Sequence, residues 1–176
     1  MSEINWKDLF YVNPTTGEVS EEQTDGFVIA SPTYGVYGGA FNPDPEVELL
    51  TNNGDPYTYE QLIAVAPHKL DPVDITDYFY YVHDVESQTD QLQADIDLLT
   101  SLTVTDTSFD PEASVYDAVA TFGIAARLAI NDQVELVDPL LLFGAVTDAT
   151  ADLQYGLENL NKKELSLALD LIGDIF

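Results

Sequence analysis

Apolar residues recur at helical spacing through the middle of the chain, after the segment Asp71-Pro72-Val73-Asp74. An aspartate can cap a helix by accepting a free backbone N–H, and proline is tolerated at the first helical position. Nothing in the residues that follow breaks a helix until about Leu99. The pattern therefore predicts one helix over this whole stretch, with one apolar face formed by Ile75, Phe79, Val82, Leu92, Ile96 and Leu99.

The same signals predict four further helices. Two of them begin at Asp-Pro pairs, and one begins with a capping box in which Thr58 and Gln61 satisfy each other's backbone groups. The expected ranges are Thr58–Ala66, Asp110–Ile130 with Asn131 ending it, Asp138–Leu160 and Lys162–Ile172. The N-terminal third is instead rich in turn signals, with one short strand-like run at Phe27–Ala30. These elements predict a single, mainly α domain over residues 1–176.

Charge is the extreme feature of the composition, since 32 acidic residues against 5 basic ones give a formal net charge of −27. Such a surface repels phosphate backbones, so a nucleic-acid-binding function is not expected. The acidic residues form either a solvated shell or clusters that bind divalent cations, and the sequence leaves both interpretations open. The chain has no cysteine, which excludes disulfides and thiolate metal sites.

The first residues, MSEINWKDLFYV, contain no basic segment followed by an apolar run, so no conventional secretory signal is expected. The longest apolar stretch, Pro139–Val146, is too short to cross a bilayer. We expect a protein that stays inside the cell, leaves it by a signal-independent route or belongs to a larger assembly.

A glycine-rich aromatic segment, Tyr34-Gly35-Val36-Tyr37-Gly38-Gly39, fits neither helical nor strand spacing. Its glycines can accept positive φ, so the backbone can turn sharply and point successive carbonyls inward. Hard cations such as Ca²⁺ take backbone carbonyls, carboxylates and waters. The segment is therefore either a calcium loop or a plain surface turn.

His83 lies in the middle of the predicted central helix, beside Asp84. Adjacent helical residues diverge by about 100°, so we expect the two side chains to serve neighbouring tasks rather than to act on each other. The alternative is a core histidine whose hydrogen bonds are satisfied among aromatic neighbours. The second histidine, His68, follows a proline and is expected at the surface.

Three segments taken together point to a known protein family more specifically than any one of them does alone. They are the loop Tyr34–Gly39, the stretch Pro72–Asp84 with the sequence PVDITDYFYYVHD, and Val115–Ala120 with the sequence VYDAVA. Together they resemble the secreted phospholipase A2 family, which has Tyr-Gly-Cys-Tyr-Cys-Gly-x-Gly, Pro-x-Asp-x-x-Asp-Arg-Cys-Cys-x-x-His-Asp and Cys-Asp-x-Ala-Ala. The family's cysteines are replaced here, and viral capsid phospholipase domains also lack the disulfide framework.

The resemblance implies a phospholipase A2-like core of two long antiparallel helices with a calcium loop. The implied reaction is calcium-dependent hydrolysis of the sn-2 ester of glycerophospholipids at a membrane interface or micelle. His83 would take a proton from the attacking water, Asp117 would hold the histidine tautomer, and the Gly39 N–H would help to stabilise the oxyanion. The implied ligands of Ca²⁺ are the Asp84 carboxylate and three backbone carbonyls, those of Tyr37, Gly39 and Phe41.

The resemblance covers roughly residues 31–125, with an insertion at 43–68 and a helical C-terminal extension at 134–176. Phe41 stands at the family's third loop glycine, and Ser87 stands where the family has a tyrosine. Both favour the alternative, a non-catalytic calcium-binding or virion module that keeps the fold; an acidic helical assembly protein is the third hypothesis. Because such a loop should bind Ca²⁺ with a Kd of about 10⁻⁴–10⁻³ M, we expect it to act outside the cell or in a virion.

Overall fold

The computed structural model describes residues 4–13, 19–20, 29–38, 50, 56–65, 72–107 and 110–175. Within these residues the fold is mainly α. The α-helices are α1 (Tyr59–Val65), α2 (Ile75–Ser87), α3 (Gln91–Thr103), α4 (Pro111–Ile130), α5 (Pro139–Asn159) and α6 (Lys162–Ile175). A 3₁₀ turn lies at Val134–Leu136. The strands are β1 (Ile4–Val12), β2 (Val19–Ser20) and β3 (Ile29–Tyr34).

Four of the predicted helices, α1, α4, α5 and α6, form where the sequence signals place them. The carboxylates of Asp110 and Asp138 accept backbone N–H groups in the first turns of α4 and α5. Before α1, the Thr58 N–H donates to the Gln61 side chain at 2.9 Å, and the Gln61 N–H donates to the Thr58 hydroxyl at 3.3 Å. These starts were predictable because a cap is made by residues two or three positions apart.

The prediction of one central helix running to about Leu99 is wrong, because this stretch forms two helices. α2 ends at Ser87, and α3 begins at Gln91. Asp90 caps α3 by accepting the Gln93 N–H at 3.1 Å. A three-residue connection between packed helices makes a helical hairpin, so the second half of the predicted helix folds back on the first.

The N-terminal segment forms a three-stranded antiparallel sheet in the order β2-β1-β3, where the sequence predicted mainly turns. β1 was missed because its pairing with β3 is irregular between Asn5 and Phe10. Such an irregularity interrupts the alternation by which a strand is recognised. The strand-like run Phe27–Ala30 overlaps β3 at its last two residues, and its first two lie outside the described residues.

A cluster of tyrosine rings joins the sheet to the helices. The ring of Tyr34, at the end of β3, stacks on Tyr116 of α4 with centroids 5.0 Å apart. Tyr80 of α2 meets the Tyr116 ring edge-on at 5.1 Å. All three side chains are buried. Aromatic pairs in these arrangements stabilise a core beyond the apolar area they bury.

α4 and α5 make the most extensive helix–helix contact among the described elements. α4 is long and apolar enough to cross a membrane by length and composition alone, but half of its most apolar window is buried inside the structure. A core helix has the same properties. Large apolar side chains remain exposed near the junction of α4 and α5, the most exposed being Leu136, Leu140 and Phe143.

Two glycines of α5 give a matched test of the α4–α5 contact. A Cβ at Gly156 would lie 2.4 Å from Cγ2 of Val115 and 2.8 Å from the Pro111 carbonyl oxygen, whereas a Cβ at Gly144 meets nothing within 4 Å. We expect Gly156→Ala to destabilise the fold by about 1–3 kcal/mol through overpacking. Gly144→Ala should be neutral or stabilise by up to about 1 kcal/mol. Urea unfolding of both variants measures these stability changes, and equal changes would contradict the close α4–α5 contact at Gly156.

Glu112, in the first turn of α4, ties the sheet to the helices, because its Oε2 accepts the Ile4 N–H at 3.0 Å. Burial raises the pKa of this carboxyl to about 7, and the nearby acids Glu164 and Asp110 raise it further against the lowering effect of the Ile4 hydrogen bond.

This raised pKa predicts a pH-dependent stability. Between the ordinary pKa of 4.5 and about 7, the folded state retains a proton that the unfolded state has released. Its contribution to stability is therefore complete below the lower value and is lost as the pH rises through the higher one. Glu112→Gln keeps an acceptor for Ile4 but cannot ionise. We expect its free energy of unfolding to fall less over this pH window than that of the wild type, measured by urea unfolding. If the free energies of unfolding of the two proteins changed with pH in parallel, the raised pKa of Glu112 would be contradicted.

Candidate active site

The glycine segment forms a tight turn between β3 and the helices. The Tyr34 N–H donates to the Gly38 carbonyl at 2.7 Å, and the Gly38 N–H donates to the Tyr34 carbonyl at 2.8 Å. Gly35 has a φ of +57°, in the left-handed region that glycine enters without the cost of a Cβ. The turn is thus closed by its own backbone.

Asp77, in the first turn of α2, holds this turn against the helix. Its carboxylate accepts the backbone N–H groups of Val36 at 2.9 Å, Tyr37 at 2.8 Å and Gly38 at 3.2 Å. A Cβ at position 35 would lie 2.5 Å from the Asp77 carboxyl, so glycine is required for this approach. The Asp77 side chain is fully buried, and burial raises its pKa against the lowering effect of its backbone hydrogen bonds.

The turn runs along one face of α2. Residues 77, 81 and 84 share that face, because they are four and three positions apart. Tyr37 contacts this face twice, through its N–H to Asp77 and through its ring, whose centroid lies 5.0 Å from that of Tyr81. Asp84 is therefore the next carboxylate along the face that the turn occupies, about 10 Å further along the helix.

Asp84 has one carboxylate oxygen in an unusual state, since Oδ2 is buried and has no hydrogen-bond partner. Burial raises the pKa of this carboxyl to about 6, the His83 contact lowers it, and the charge of Asp77 raises it. A buried polar atom without a partner is rare, and it is a group that a bound ion could satisfy.

His83 faces the adjacent helix α3. Its Nε2 lies 2.9 Å from Oδ1 of Asp95, and the Gln91 side-chain nitrogen donates to the same oxygen at 2.8 Å. Its Nδ1 lies 3.6 Å from Oδ1 of Asp84. The two residues therefore have different main neighbours, as expected from their helical divergence. They are nevertheless close enough to interact electrostatically, contrary to the prediction that they would not act on each other.

The carboxylate that meets His83 is Asp95, so the role given to Asp117 requires correction. Asp117 lies on α4 and accepts a hydrogen bond from the Tyr80 hydroxyl at 2.8 Å, while its Oδ2 has no partner. Tyr80 is one turn before His83 on α2, so Asp117 and Asp95 meet this helix at different positions. Asp117 is almost fully buried, and burial raises its pKa well above the ordinary value, outweighing the lowering effect of the Tyr80 hydrogen bond.

Asp95 was missed because the predicted uninterrupted helix places it twelve residues from His83, about 18 Å away along the axis. The hairpin brings the two together. A signal was available, because Asp90 can cap a helix that begins at the next residue. Arg127 of α4, which forms an ion pair with Oδ2 of Asp95, depends on the tertiary packing and had no local signal.

Two predicted site residues, Gly39 and Phe41, lie outside the described part of the chain. They are the second and third predicted carbonyl ligands. His68, which was predicted to lie at the surface, is also outside the described residues. Over the described ranges, no group of three or more His, Cys, Asp or Glu side chains could hold a metal ion.

Comparison with protein-family models, curated proteins and solved structures found no match.

The Asp77 contacts predict that the turn depends on this carboxylate. In Asp77→Asn the amide would offer one acceptor oxygen and place an NH₂ donor against backbone donors. We expect a loss of about 2–4 kcal/mol, because hydrogen bonds to a charged group are lost and buried N–H groups are left unpaired. Asp97→Asn, at an exposed α3 aspartate that accepts from Gln93, should stay within about 0.5 kcal/mol of the wild type. Equal urea midpoints for the two variants would contradict the conclusion that the Asp77 carboxylate holds the turn.

Proposed function

We propose that this chain is a calcium-dependent hydrolase of the sn-2 ester of glycerophospholipids, with a phospholipase A2-like core. The observation that carries the proposal is the contact between His83 Nε2 and Asp95 Oδ1 at 2.9 Å. His83 lies on α2 directly before Asp84, and Asp77 in the first turn of the same helix binds the glycine segment. In this proposal Asp95 orients the histidine.

The Asp95 contact favours a particular histidine tautomer. An ionised carboxylate can only accept hydrogen bonds, so Asp95 favours the imidazole form that carries its proton on Nε2. The Gln91 side-chain nitrogen also lies 3.3 Å from Nε2, but it is closer to Oδ1 of Asp95, to which it donates at 2.8 Å. Nδ1 then has a free lone pair, and this nitrogen is the one that faces Asp84. A neutral imidazole held in this way is suited to take a proton from water near neutral pH.

The residues near Asp84 fit a calcium ion in their chemistry. Ca²⁺ prefers carboxylate and carbonyl oxygens, and the buried, unpartnered Oδ2 of Asp84 is such a donor. The Tyr37 carbonyl would join it, with Gly39 and Phe41 supplying the remaining carbonyls of the predicted set. Bound Ca²⁺ would supply positive charge next to the ester carbonyl oxygen, where negative charge develops during hydrolysis.

The chain's own residues would carry the proton transfers. His83 Nδ1 takes a proton from the attacking water as its oxygen bonds to the ester carbon, and the ionised Asp95 stabilises the resulting imidazolium. His83 then returns the proton to the leaving glycerol oxygen as the ester bond breaks. The products are a fatty acid and a lysophospholipid, and the imidazole is again neutral.

The surface charge restricts the lipid interface. A formal charge of −27 disfavours anionic headgroups unless calcium bridges them, so zwitterionic phospholipids are the favoured substrates. We propose action outside the cell or in a virion, because the predicted loop would be empty at cytosolic calcium levels.

Fatty-acid release from zwitterionic mixed micelles tests the proposal. We expect calcium-dependent release that EGTA and His83→Gln abolish. Asp95→Asn should lower kcat by about 10²-fold or more, because an amide can stabilise the wrong tautomer. Asp117→Asn is the matched control, since its amide oxygen can still accept from Tyr80, and it should have a much smaller effect. Release that is insensitive to EGTA or to His83→Gln would contradict the proposal.

A second candidate is a calcium-binding module without turnover, favoured by Phe41 and Ser87. In the structure the Ser87 hydroxyl donates to the Asp84 carbonyl within its own helix at 3.2 Å and orients no carboxylate. Titration calorimetry distinguishes the two functions. Calcium binding that is lost in Asp84→Asn, without any fatty-acid release, would establish the module instead of the enzyme.

A further inference from the structure

Arg127 is the only arginine in a chain with five basic residues and 32 acidic ones. It lies in the last turn of α4, where a cation interacts favourably with the helix dipole. Its guanidinium contacts Oδ2 of Asp95. The single arginine is thus placed at the carboxylate that meets His83.

The surroundings of Asp95 divide its two oxygens between different partners. Oδ2 faces Arg127, while Oδ1 accepts from Gln91 at 2.8 Å and lies 2.9 Å from His83 Nε2. The Asp95 side chain is 1% exposed. A carboxylate buried to this degree is costly unless it is paired with a cation and hydrogen-bonded. Arg127 supplies the cation from a third helix and fixes the rotation of the carboxylate.

We infer that Arg127 is a positioning residue for His83: by holding Oδ2 of Asp95, it turns Oδ1 towards Nε2 and keeps the imidazole proton on that nitrogen. The catalytic consequence rests on the proposed function, whereas the effect on the histidine tautomer does not. Arg127 acts through Asp95, because its guanidinium contacts that carboxylate.

Removing the guanidinium should free the Asp95 carboxylate from its fixed orientation. Without its cation, the buried Asp95 carboxylate is free to rotate away from Nε2 or to become neutral and donate a hydrogen bond. In either case Nε2 loses a fixed acceptor, and the imidazole proton distributes between the two nitrogens. Arg127→Met removes the charge but keeps an apolar stem of similar length, and Arg127→Lys restores a cation without the planar fork.

The experiment is ¹⁵N NMR of the histidine ring in a His68→Gln background, which leaves His83 as the only imidazole. Spectra are recorded at one pH, above the range in which histidine ordinarily titrates. We expect the unaltered Arg127 protein to show a protonated Nε2 and an unprotonated Nδ1. Arg127→Met should shift both resonances towards the values of a mixed tautomer population, and Arg127→Lys should recover the first pattern at least in part.

Ile124→Val is the stability control, because Ile124 is a buried residue on the same helix, one turn before Arg127. It should lower the melting temperature without changing the ring resonances. Unchanged resonances in Arg127→Met, or an equal change in Ile124→Val, would overturn the inference and leave Arg127 as a structural tie between α3 and α4.

Activity gives a separate result. If the chain hydrolyses phospholipid, Arg127→Met should lower kcat by about tenfold or more with little change in KM, because orientation rather than substrate binding is lost. Failure of the proposed function would appear as absent hydrolysis in the wild type, while the ring resonances still decide the role of Arg127.

Discussion

A carboxylate that is buried must find donors or a cation, and this chain has few cations to offer. The chain has 32 acidic residues against 5 basic ones, and two of the three buried aspartates in its described part are paired with backbone N–H groups or a hydroxyl. Asp77 binds the backbone of the glycine turn, and Asp117 accepts from the Tyr80 phenol. Only Asp95 has the arginine. The fold is organised around this constraint, because each of these contacts joins two separate elements.

The same constraint explains how helices begin in this protein. Asp74, Asp90, Asp110 and Asp138 each accept a backbone N–H in the first turn of the helix that follows. A helix N-terminus carries partial positive charge and free N–H groups, so it accommodates a carboxylate without a basic side chain. Acidic residues that would otherwise repel one another therefore help to define the ends of the helices.

Asp84, Asp95 and Asp117 differ in their surroundings, and this difference suggests how the proposed site would work. Asp95 is paired with a cation and meets Nε2, whereas Asp84 lies towards Nδ1 and has a buried oxygen without a partner. Asp117 instead accepts a hydrogen bond from the Tyr80 hydroxyl. The arrangement gives each side of the histidine ring a different electrostatic environment. A base that must receive a proton at one nitrogen while retaining one at the other requires such an asymmetry.

The sequence by itself determined the features that depend on neighbouring residues. The caps at Thr58, Asp110 and Asp138, the positive φ of Gly35 and the mainly α class follow from chemistry within a few positions. The tertiary structure alone decided the partners of His83 and Asp117. The chain reverses at residues 88–90 without a glycine or proline to mark the turn, so Asp95 reaches His83 only after the two helices have packed. Pairing across a hairpin, and the irregular pairing of β1, are set by burial and register rather than by local propensity.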